Sequence, residues 1–271
     1  MTDPKSESVQ VAGPDAGARV IIAANPYSGH GENRAYVHRL AEALAEHGLA
    51  AEVCWDRHGL ERLRAREPGG TETHEAGPLR CVVAAGGDGT IAGVVAARFD
   101  APLAVLPLGN ENLFAGHFGF QLEPERLAHA IAEGKTRAVD LGSVRSDAAD
   151  AQSQGKQADD PESAGHADAR PFTLMVSAGI DADVVHRLAR WRNADGELRR
   201  VSHLSYVQRV LGAMTEYDYP EITLETDRGE QASGAMALVF NLPRYGMGLP
   251  FTPEARGDDA LLDWVVFERK G

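Results

Sequence analysis

The segment GGDGT (residues 86–90) sets three glycines, a carboxylate and a hydroxyl directly after the short apolar run 81–85. Glycines let a ligand approach the backbone because no Cβ stands in the way. A helix that begins here would direct unpaired N–H groups and the positive end of its dipole at a phosphate. Thr90 could cap the helix or bond a phosphate oxygen, and Asp88 could orient a hydroxyl or a metal-bound water. A plain turn with Asp88 as the helix cap is the alternative.

Two further turns have the same character. NPYSG (residues 25–29) offers an amide, a hydroxyl and an open backbone after the apolar run 19–24. PLGNEN (residues 107–112) ends another apolar run and carries two asparagines that could meet a ribose, a metal or a helix start. Each turn alone also fits an ordinary Pro- or Gly-containing turn, so the indication of a phosphate or nucleotide site comes from the three together.

Alternating apolar runs and helical stripes would position these turns. In chain order the predicted elements are strand 19–24, helix 33–48, strand 49–55, helix 60–67, strand 81–85, helix 90–99, strand 102–109 and helix 124–133. This alternation predicts an α/β fold with a doubly wound, mostly parallel sheet and helices on both of its faces. Ligands bind beyond the carboxyl ends of the strands in such sheets. All three turns begin where a predicted strand ends, so we expect them at one sheet edge.

The second half of the chain is dominated by strand patterns. Strands are predicted at 171–180, 221–227, 234–241 and 260–268, with helices at 181–191 and 203–214. These elements predict a second, β-rich and sandwich-like domain. The predicted division is a disordered N-terminus (1–17), an α/β nucleotide-binding domain (18–142) and the β-rich domain (143–271), which contains a disordered insertion (146–169) poor in large apolar residues.

Composition excludes several classes of protein. The net charge of −13 argues against nucleic-acid binding and against permanent docking on anionic lipid. No apolar stretch is long enough to span a bilayer, and the N-terminus lacks the apolar region of a signal peptide. Cys54 and Cys81 both lie in apolar runs and are expected to be core thiols. We therefore expect a cytoplasmic protein without a transmembrane segment, whose contact with a membrane is peripheral and transient.

Taken in order, these turns resemble the diacylglycerol kinase catalytic-domain family, which includes bacterial lipid kinases and sphingosine kinases. The matching segments are NPYSG, AAGGDGT and PLGNENLFA, followed by VFNLPRYGMG and TPEARGDDALLD. Apart from the insertion, the resemblance runs from about residue 19 to about residue 267. The family fold, an α/β nucleotide domain packed on a β-sandwich, agrees with the predicted elements.

The resemblance implies that the γ-phosphate of ATP is transferred, with Mg²⁺, to a hydroxyl of diacylglycerol or a related lipid alcohol at a membrane surface. The ATP-binding residues that it implies are Asn25, Pro26, Tyr27, Ser28, Gly29, Gly86, Gly87, Asp88, Gly89, Thr90, Asn110 and Asn112. It also implies a structural Mg²⁺ at Asp259 with the carbonyls of Arg256 and Leu261, for which a solvated turn is the alternative. Asp88 is the candidate catalytic residue.

The sequence departs from the family pattern near these segments. The departures are Trp55 and Asn110 for threonines, Ala92 and Gly93 for an Asn-Glu pair, Leu113 for an aspartate and Ala260 for a glycine. The family draws its catalytic carboxylate from strands beyond the position of Gly271, which this sequence lacks, so its catalytic competence stays open. The alternatives are a catalytically impaired nucleotide- or lipid-binding pseudokinase and a relative of the NAD kinases, which share GGDGT.

Overall fold

The structure is a computed structural model of the 271-residue chain. It describes residues 10–11, 17–26, 28, 33–67, 77–145, 169–192 and 217–268. The predicted insertion lies outside the described residues except for its last residue, and so does the predicted helix at 203–214. Within the N-terminal segment expected to be disordered, β1 (Gln10–Val11) pairs with β6 (Lys135–Thr136). Residues 1–9 and 12–16 of that segment lie outside the described part of the chain.

A four-stranded parallel sheet forms the centre of the first half of the chain. Its strands are β2 (Arg19–Ala24), β3 (Ala50–Cys54), β4 (Leu79–Gly86) and β5 (Leu103–Pro107). Their order in the sheet is β3-β2-β4-β5. The chain moves from β2 to β3 on one side and then returns to β4 on the other side of β2. The carboxyl ends of β2 and β4 therefore flank the topological switch point, where such sheets bind ligands.

Helices cover both faces of this sheet. They are α1 (Asn33–Glu46), α2 (Arg57–Ala65), α3 (Asp88–Ala96), α4 (Leu113–Phe118) and α5 (Pro124–Glu133). Alternate residues of β2 point to opposite faces: Ile22 packs in the core that includes α1 and α5, and Ile21 packs in the core that includes α2, α3 and α4. The sequence did not predict α4, because six residues are too few for a helical period to show.

Antiparallel strands make up the second half. Its strands are β7 (Gly142–Val144), β8 (Arg170–Phe172), β9 (Met175–Gly179), β10 (Ile222–Glu225), β11 (Gln231–Gly234), β12 (Met236–Phe240) and β13 (Asp263–Phe267). The strands pair as β7-β8, as the hairpin β10-β11 and as the sheet β13-β12-β9. Helix α6 (Ile180–Arg192) follows β9, and a short 3-10 helix covers Gly246–Gly248. The predicted α/β fold with a second, β-rich domain is confirmed.

The single strand predicted at 171–180 is instead two strands, β8 and β9, in different sheets. The break falls at Thr173 and Leu174. The N–H groups of Asn241 and Leu242 both donate to the carbonyl of Leu174 (2.8 and 3.2 Å). The buried amide of Asn241 also donates to the carbonyl of Thr173 (2.9 Å). These contacts come from a segment distant in sequence, so the local pattern could not reveal the break.

The two halves meet in a packed joint. Leu242 is fully buried and lies in the same core cluster as Phe114 of α4. The Asn241 amide donates to the carbonyl of Asp140 (2.9 Å), and the Asp140 N–H donates to the carbonyl of Gly257 (2.7 Å). The second half therefore shares a core cluster with α4 and is hydrogen-bonded to the segment at Asp140. The predicted domain boundary between residues 142 and 143 falls inside β7 and stays a prediction.

Both cysteines are buried and free, as predicted for core thiols. Burial raises the pKa of Cys81 to about 12 and also raises the pKa of Cys54. Since the thiolate is the reactive form, burial and the raised pKa both lower the reactivity of these thiols. The Cys54 thiol is further engaged as a donor to the carbonyl of Asp56 (2.9 Å).

Arg19, at the start of β2, forms an ion pair with Glu67, and their side chains are only 12% and 7% exposed. We expect Glu67→Gln to lower the free energy of unfolding by about 2 kcal/mol, because the largely buried guanidinium of Arg19 then keeps only Glu52, at 3.8 Å, as a counter-charge. Urea denaturation would measure the change. The matched control is Glu61→Gln, which breaks an exposed pair with Arg57 and should cost less than about 0.5 kcal/mol. Equal small losses in both variants would contradict the expectation.

Candidate functional site

The structure brings the three turns together at the carboxyl edge of the parallel sheet. Asn25 follows β2, and its N–H donates to the carbonyl of Ala85 at the end of β4 (3.1 Å). Leu108 follows β5, and its N–H donates to the carbonyl of Gly86 (3.0 Å). Since β2, β4 and β5 are neighbours in the sheet, their terminal loops share one rim. This rim includes the switch point between β2 and β4.

Asn33 holds the loop that follows β2. It lies at the first position of α1, is only 5% exposed, and its amide donates to the carbonyls of Asn25 (3.2 Å) and Ser28. The Ser28 N–H donates in turn to the Asn25 carbonyl (3.3 Å). The sequence reasoning missed Asn33. The signal available was an amide residue at the start of a helix behind a glycine-containing turn.

The loops after β4 and β5 touch backbone to backbone at Gly87 and Gly109. A Cβ on Gly109 would lie 2.5 Å from the Cα of Gly87 and 2.7 Å from Oδ1 of Asn112. Asn112 adopts a left-handed conformation (φ 50°, ψ 46°). Its Oδ1 accepts from the Gly109 N–H (2.9 Å), and its Nδ2 donates to the Gly109 carbonyl (2.8 Å). Asn112 therefore fixes the conformation of Gly109, and the close contact requires glycine there.

The Asp88 carboxylate connects α3 to α4. Its Oδ2 accepts from the N–H of Leu113 (3.0 Å) and its Oδ1 from the N–H of Phe114 (3.0 Å). These are N–H groups of the first turn of α4, which have no acceptor within their own helix. A carboxylate there also interacts favourably with the helix dipole. The observed contacts of Asp88 are those of a positioning residue, and its catalytic role stays a prediction.

Unused hydrogen-bond donors lie at the start of α3. The hydroxyl of Thr90 is buried beside Gly86 and has no hydrogen-bond partner among the described residues. Buried hydroxyls are almost always paired, so this one is suited to a ligand. The N–H groups of Asp88 and Gly89 belong to the first turn of the nine-residue α3 and have no acceptor within it. Nothing lies within 4 Å of a Cβ built on Gly89, which leaves room for a ligand.

Asp259 lies in a turn of the second half, away from these loops in sequence. Its Oδ1 accepts from the N–H of Leu261 (3.1 Å), and Asp140 Oδ2 accepts from the N–H of Ala260 (2.7 Å). Ala260 is left-handed (φ 58°), a conformation that favours the glycine expected from the family pattern. Within the described ranges no three His, Cys, Asp or Glu side chains are grouped so that they could hold a metal ion.

Asp258, next to this turn, joins two arginines from different parts of the chain. Its Oδ1 accepts from Arg256 (3.2 Å) and its Oδ2 from Arg137 (2.9 Å). Hydrogen bonds from Arg256 and then Arg137 hold the pKa of the Asp258 carboxyl below its usual value. Asp258 is therefore engaged in ion pairs.

The predicted site residues fall into three groups. Those at the shared rim of the sheet are Asn25, Pro26, Ser28, Gly86, Gly87, Asp88, Gly89, Thr90, Asn110 and Asn112. Those in the separate turn are Arg256, Asp259 and Leu261. Tyr27 and Gly29 lie outside the described residues. In the part of the chain that is described, no helix has the length and apolar character needed to cross a bilayer.

Two family models match the chain in succession. Residues 19–144 match the diacylglycerol kinase catalytic domain. Residues 174–271 match the YegS C-terminal NAD kinase beta sandwich-like domain. The first match contains the three loops of the rim, and the second contains the turn at Asp259.

Curated relatives carry matching names. The chain is 27% identical over 253 residues to a diacylglycerol kinase of Mycobacterium tuberculosis, covering 90% of this chain and 72% of the relative. It is 29% identical to a "Probable lipid kinase YegS-like" of Pseudomonas aeruginosa, covering 90% of this chain and 70% of that relative. It is 37% identical to a protein of the same name from Chromohalobacter salexigens, covering 87% of this chain and 66% of that relative.

Solved structures support the fold. A structure described as a diacylglycerol kinase from Bacillus anthracis str. Sterne has a TM-score of 0.55 at 16% identity, covering 92% of this chain and 75% of that chain. At this identity the likeness concerns the fold alone. The two successive family matches and the curated relatives lead to one conclusion. The chain belongs to the diacylglycerol kinase catalytic-domain family of lipid kinases.

Proposed function

We propose that this protein transfers the γ-phosphate of ATP to a hydroxyl of diacylglycerol or a related lipid alcohol, which it meets at a membrane surface. The observation that supports this most is the unpartnered, buried hydroxyl of Thr90 at the N-terminus of α3. Such a group, with the free N–H groups of the same helical turn, suits a phosphate. The lipid acceptor is proposed from the family, whose members use ATP and, in general, a divalent metal ion.

In this proposal the three loops of the rim form the walls of the ATP site. The hydroxyl of Thr90 and the N–H groups of Asp88 and Gly89 would bind phosphate oxygens. The loop that Asn33 holds would close the site from the side of β2, and the loop at Gly109 would close it from the side of β5. Asp88 would hold the loop after β4 against the loop after β5 through its two hydrogen bonds to the start of α4. Phosphoryl transfer requires chiefly such positioning and the neutralisation of charge, so rigid walls are what the reaction needs.

The turn at Asp259 fits a hydrated magnesium ion. Its donors would be the free Oδ2 of Asp259 and the carbonyls of Arg256 and Leu261. Mg²⁺ is commonly held by one or two carboxylates while it keeps several waters, so one carboxylate with two carbonyls is a suitable set. When bound, the ion would supply a positive charge that fixes the turn. These residues lie on the second half, so they would stabilise the joint beside α4.

A second candidate is a protein that binds ATP without transferring phosphate. The specific observation that favours it is that both oxygens of Asp88 already accept backbone hydrogen bonds from α4. A carboxylate used in this way is less available to take a proton from a lipid hydroxyl, because its protonated form would lose one of the two acceptor oxygens. The two candidates share the ATP site and differ only in the transfer step.

Phosphate transfer from labelled Mg-ATP tests the proposed function directly. Diacylglycerol and a sphingoid base in mixed micelles would serve as acceptors, with NAD in a parallel reaction and ATP binding measured by calorimetry. Labelled lipid would support the kinase proposal. ATP binding without transfer would support the second candidate. Transfer to NAD alone, or no ATP binding, would contradict both.

The Thr90 hydroxyl gives a prediction in which binding and stability change in opposite senses. We expect Thr90→Val to weaken ATP binding about tenfold or more, since a hydrogen bond to a charged group contributes about 1.5–3 kcal/mol. The free energy of unfolding should stay level or rise by about 1 kcal/mol, because an unpaired buried hydroxyl is removed. Calorimetry and urea denaturation would measure the two effects. Thr90→Ser keeps the hydroxyl and should keep the affinity; a valine variant that binds ATP normally would refute the role.

The contact between Gly87 and Gly109 gives a second prediction. Gly109→Ala would place a Cβ 2.5 Å from the Cα of Gly87, so the two loops must separate. We expect ATP affinity to fall at least about tenfold and the unfolding free energy to fall by about 1–3 kcal/mol. The control is Gly93→Ala on α3, where nothing lies within 4 Å of the added Cβ. Equal ATP affinity in both variants would show that the loop contact does not shape the site.

A further inference from the structure

An arginine and a tryptophan meet at the edge of the parallel sheet, on the side of β3. The Cζ atom of Arg34, the second residue of α1, lies 4.7 Å from the centroid of the Trp55 ring. This distance is within the range of a cation–π contact. Trp55 is one of the positions at which the sequence departs from the family pattern. The pair has no role in the ATP site as proposed so far.

The strand register places Trp55 level with the loops of the rim. Cys54, the last residue of β3, is the register partner of Ala23 in β2, and Ala23 is the partner of Ala84 in β4. Trp55 follows directly, so it lies level with the ends of β2 and β4. Adjacent strands are about 4.8 Å apart, so the end of β3 lies about 10 Å from the end of β4. One nucleoside triphosphate is long enough to reach both ends.

The backbone next to each member of the pair is anchored. Asn33 precedes Arg34 and donates its amide to two carbonyls of the loop after β2. Asp56 follows Trp55 and caps α2, where its side chain accepts a backbone N–H (2.6 Å). The Trp55 ring is partly buried against the core that includes α1 and α5. The tryptophan therefore supports the guanidinium from a fixed position beside the loop after β2.

The outer surface of Arg34 is open to a ligand. Its side chain is exposed and makes no ion pair or hydrogen bond with the described residues. Arg39 of the same helix differs: it lies 5.8 Å from the ring of Tyr36, but its guanidinium also donates to Glu125 (2.7 Å). Guanidinium groups stack on aromatic faces, and nucleic-acid bases stack on guanidinium planes. The Arg34–Trp55 pair is therefore suited to a flat, aromatic ligand.

Contacts within the rim limit where the base of a nucleotide can lie. The proposed phosphate donors are at the start of α3, which follows β4. On the side of β5 the loops already touch, since a Cβ on Gly109 would lie 2.5 Å from the Cα of Gly87. On the side of β3 the pair presents an exposed planar group. A nucleotide with its phosphates at α3 would thus extend its base across the loop after β2 toward Arg34.

We infer that Arg34 binds the purine base of the nucleotide by stacking, and that Trp55 is the positioning residue that orients the guanidinium. The inference rests on the proposed ATP site and adds the part of that site that recognises the base. A stack responds to the size of the base more than to its hydrogen-bonding edge, because every base has a π-face. ATP and GTP should therefore bind alike, and CTP, with a smaller base, should bind less tightly.

Affinities for ATP, CTP and inorganic tripolyphosphate, measured by calorimetry, test this stack. We expect Arg34→Gln to lower the affinity for ATP about tenfold, as the loss of a base stack does. The affinity for CTP should fall less, and the affinity for tripolyphosphate should not change. An equal loss for tripolyphosphate would overturn the inference, since the arginine would then bind phosphate. Unchanged ATP affinity would overturn it as well.

The matched control is Arg39→Gln, which removes the other arginine–aromatic contact of α1, further along the helix. It should leave all three affinities unchanged. A loss of ATP affinity in this control equal to that in Arg34→Gln would show a general effect on α1 and would overturn the inference.

Substitutions of Trp55 test its positioning role. Trp55→Phe keeps a ring beneath Arg34 and should keep most of the ATP affinity. Trp55→Leu should lose ATP affinity about tenfold while tripolyphosphate binds as before. Because the ring is partly buried, urea denaturation would verify that both variants are folded. A folded leucine variant with the ATP affinity of the wild type would refute the role of Trp55.

These measurements separate the base site from the proposed function. A wild-type protein that binds ATP with this pattern but labels no lipid would defeat only the proposed transfer of phosphate. An Arg34→Gln protein that labels lipid normally and binds ATP like the wild type would defeat only the base site.

Discussion

The two hydrogen bonds from the first turn of α4 to the carboxylate of Asp88 are the constraint on which most of the site depends. They set the start of α3 against the start of α4, and with it the loop that contains Gly109. Phe114 and Ala115 of the same helix share a core cluster with Leu242 of the second half. A side chain that the sequence assigns to chemistry thus also joins α3 to α4. Removing its charge would disturb geometry before it disturbed any proton transfer.

The elements that recur along the chain could be predicted, and those that depend on distant contacts could not. The apolar runs of β2, β4 and β5 are long enough for their pattern to show, and their alternation with helices indicates the parallel sheet and its binding edge. Helix α4 has only six residues, too few for a helical period of apolar residues to show in the sequence. The separation of β8 from β9 depends on Asn241, whose side chain reaches back to Thr173. A local pattern contains no trace of such a partner.

In the candidate site, too, features set by local sequence could be predicted and those set by other contacts could not. The residue types of GGDGT indicate anion binding because glycine, a hydroxyl and a helix start act locally. The role of Asn112 could not be read in this way, since its amide turns back on Gly109 instead of facing a ligand. Asn33 belongs to no motif that the sequence reveals. Its buried amide nevertheless holds the loop after β2 by donating to the carbonyls of Asn25 and Ser28. The side chains that hold the loops were therefore harder to find than those that we propose for ligand binding.

The joint around α4 also has a consequence for the order in which the protein becomes functional during synthesis. Asp88 and its partner Phe114 are 26 residues apart, whereas Asn241 and its partner Asp140 are 101 residues apart. The nascent chain can close the loops around Asp88 early. The segment that contains Leu242 can join the fold only after residue 242 has left the ribosome, and contacts between such distant residues form slowly. The loops at the edge of the parallel sheet can therefore take up their positions before the second half of the chain packs beside them.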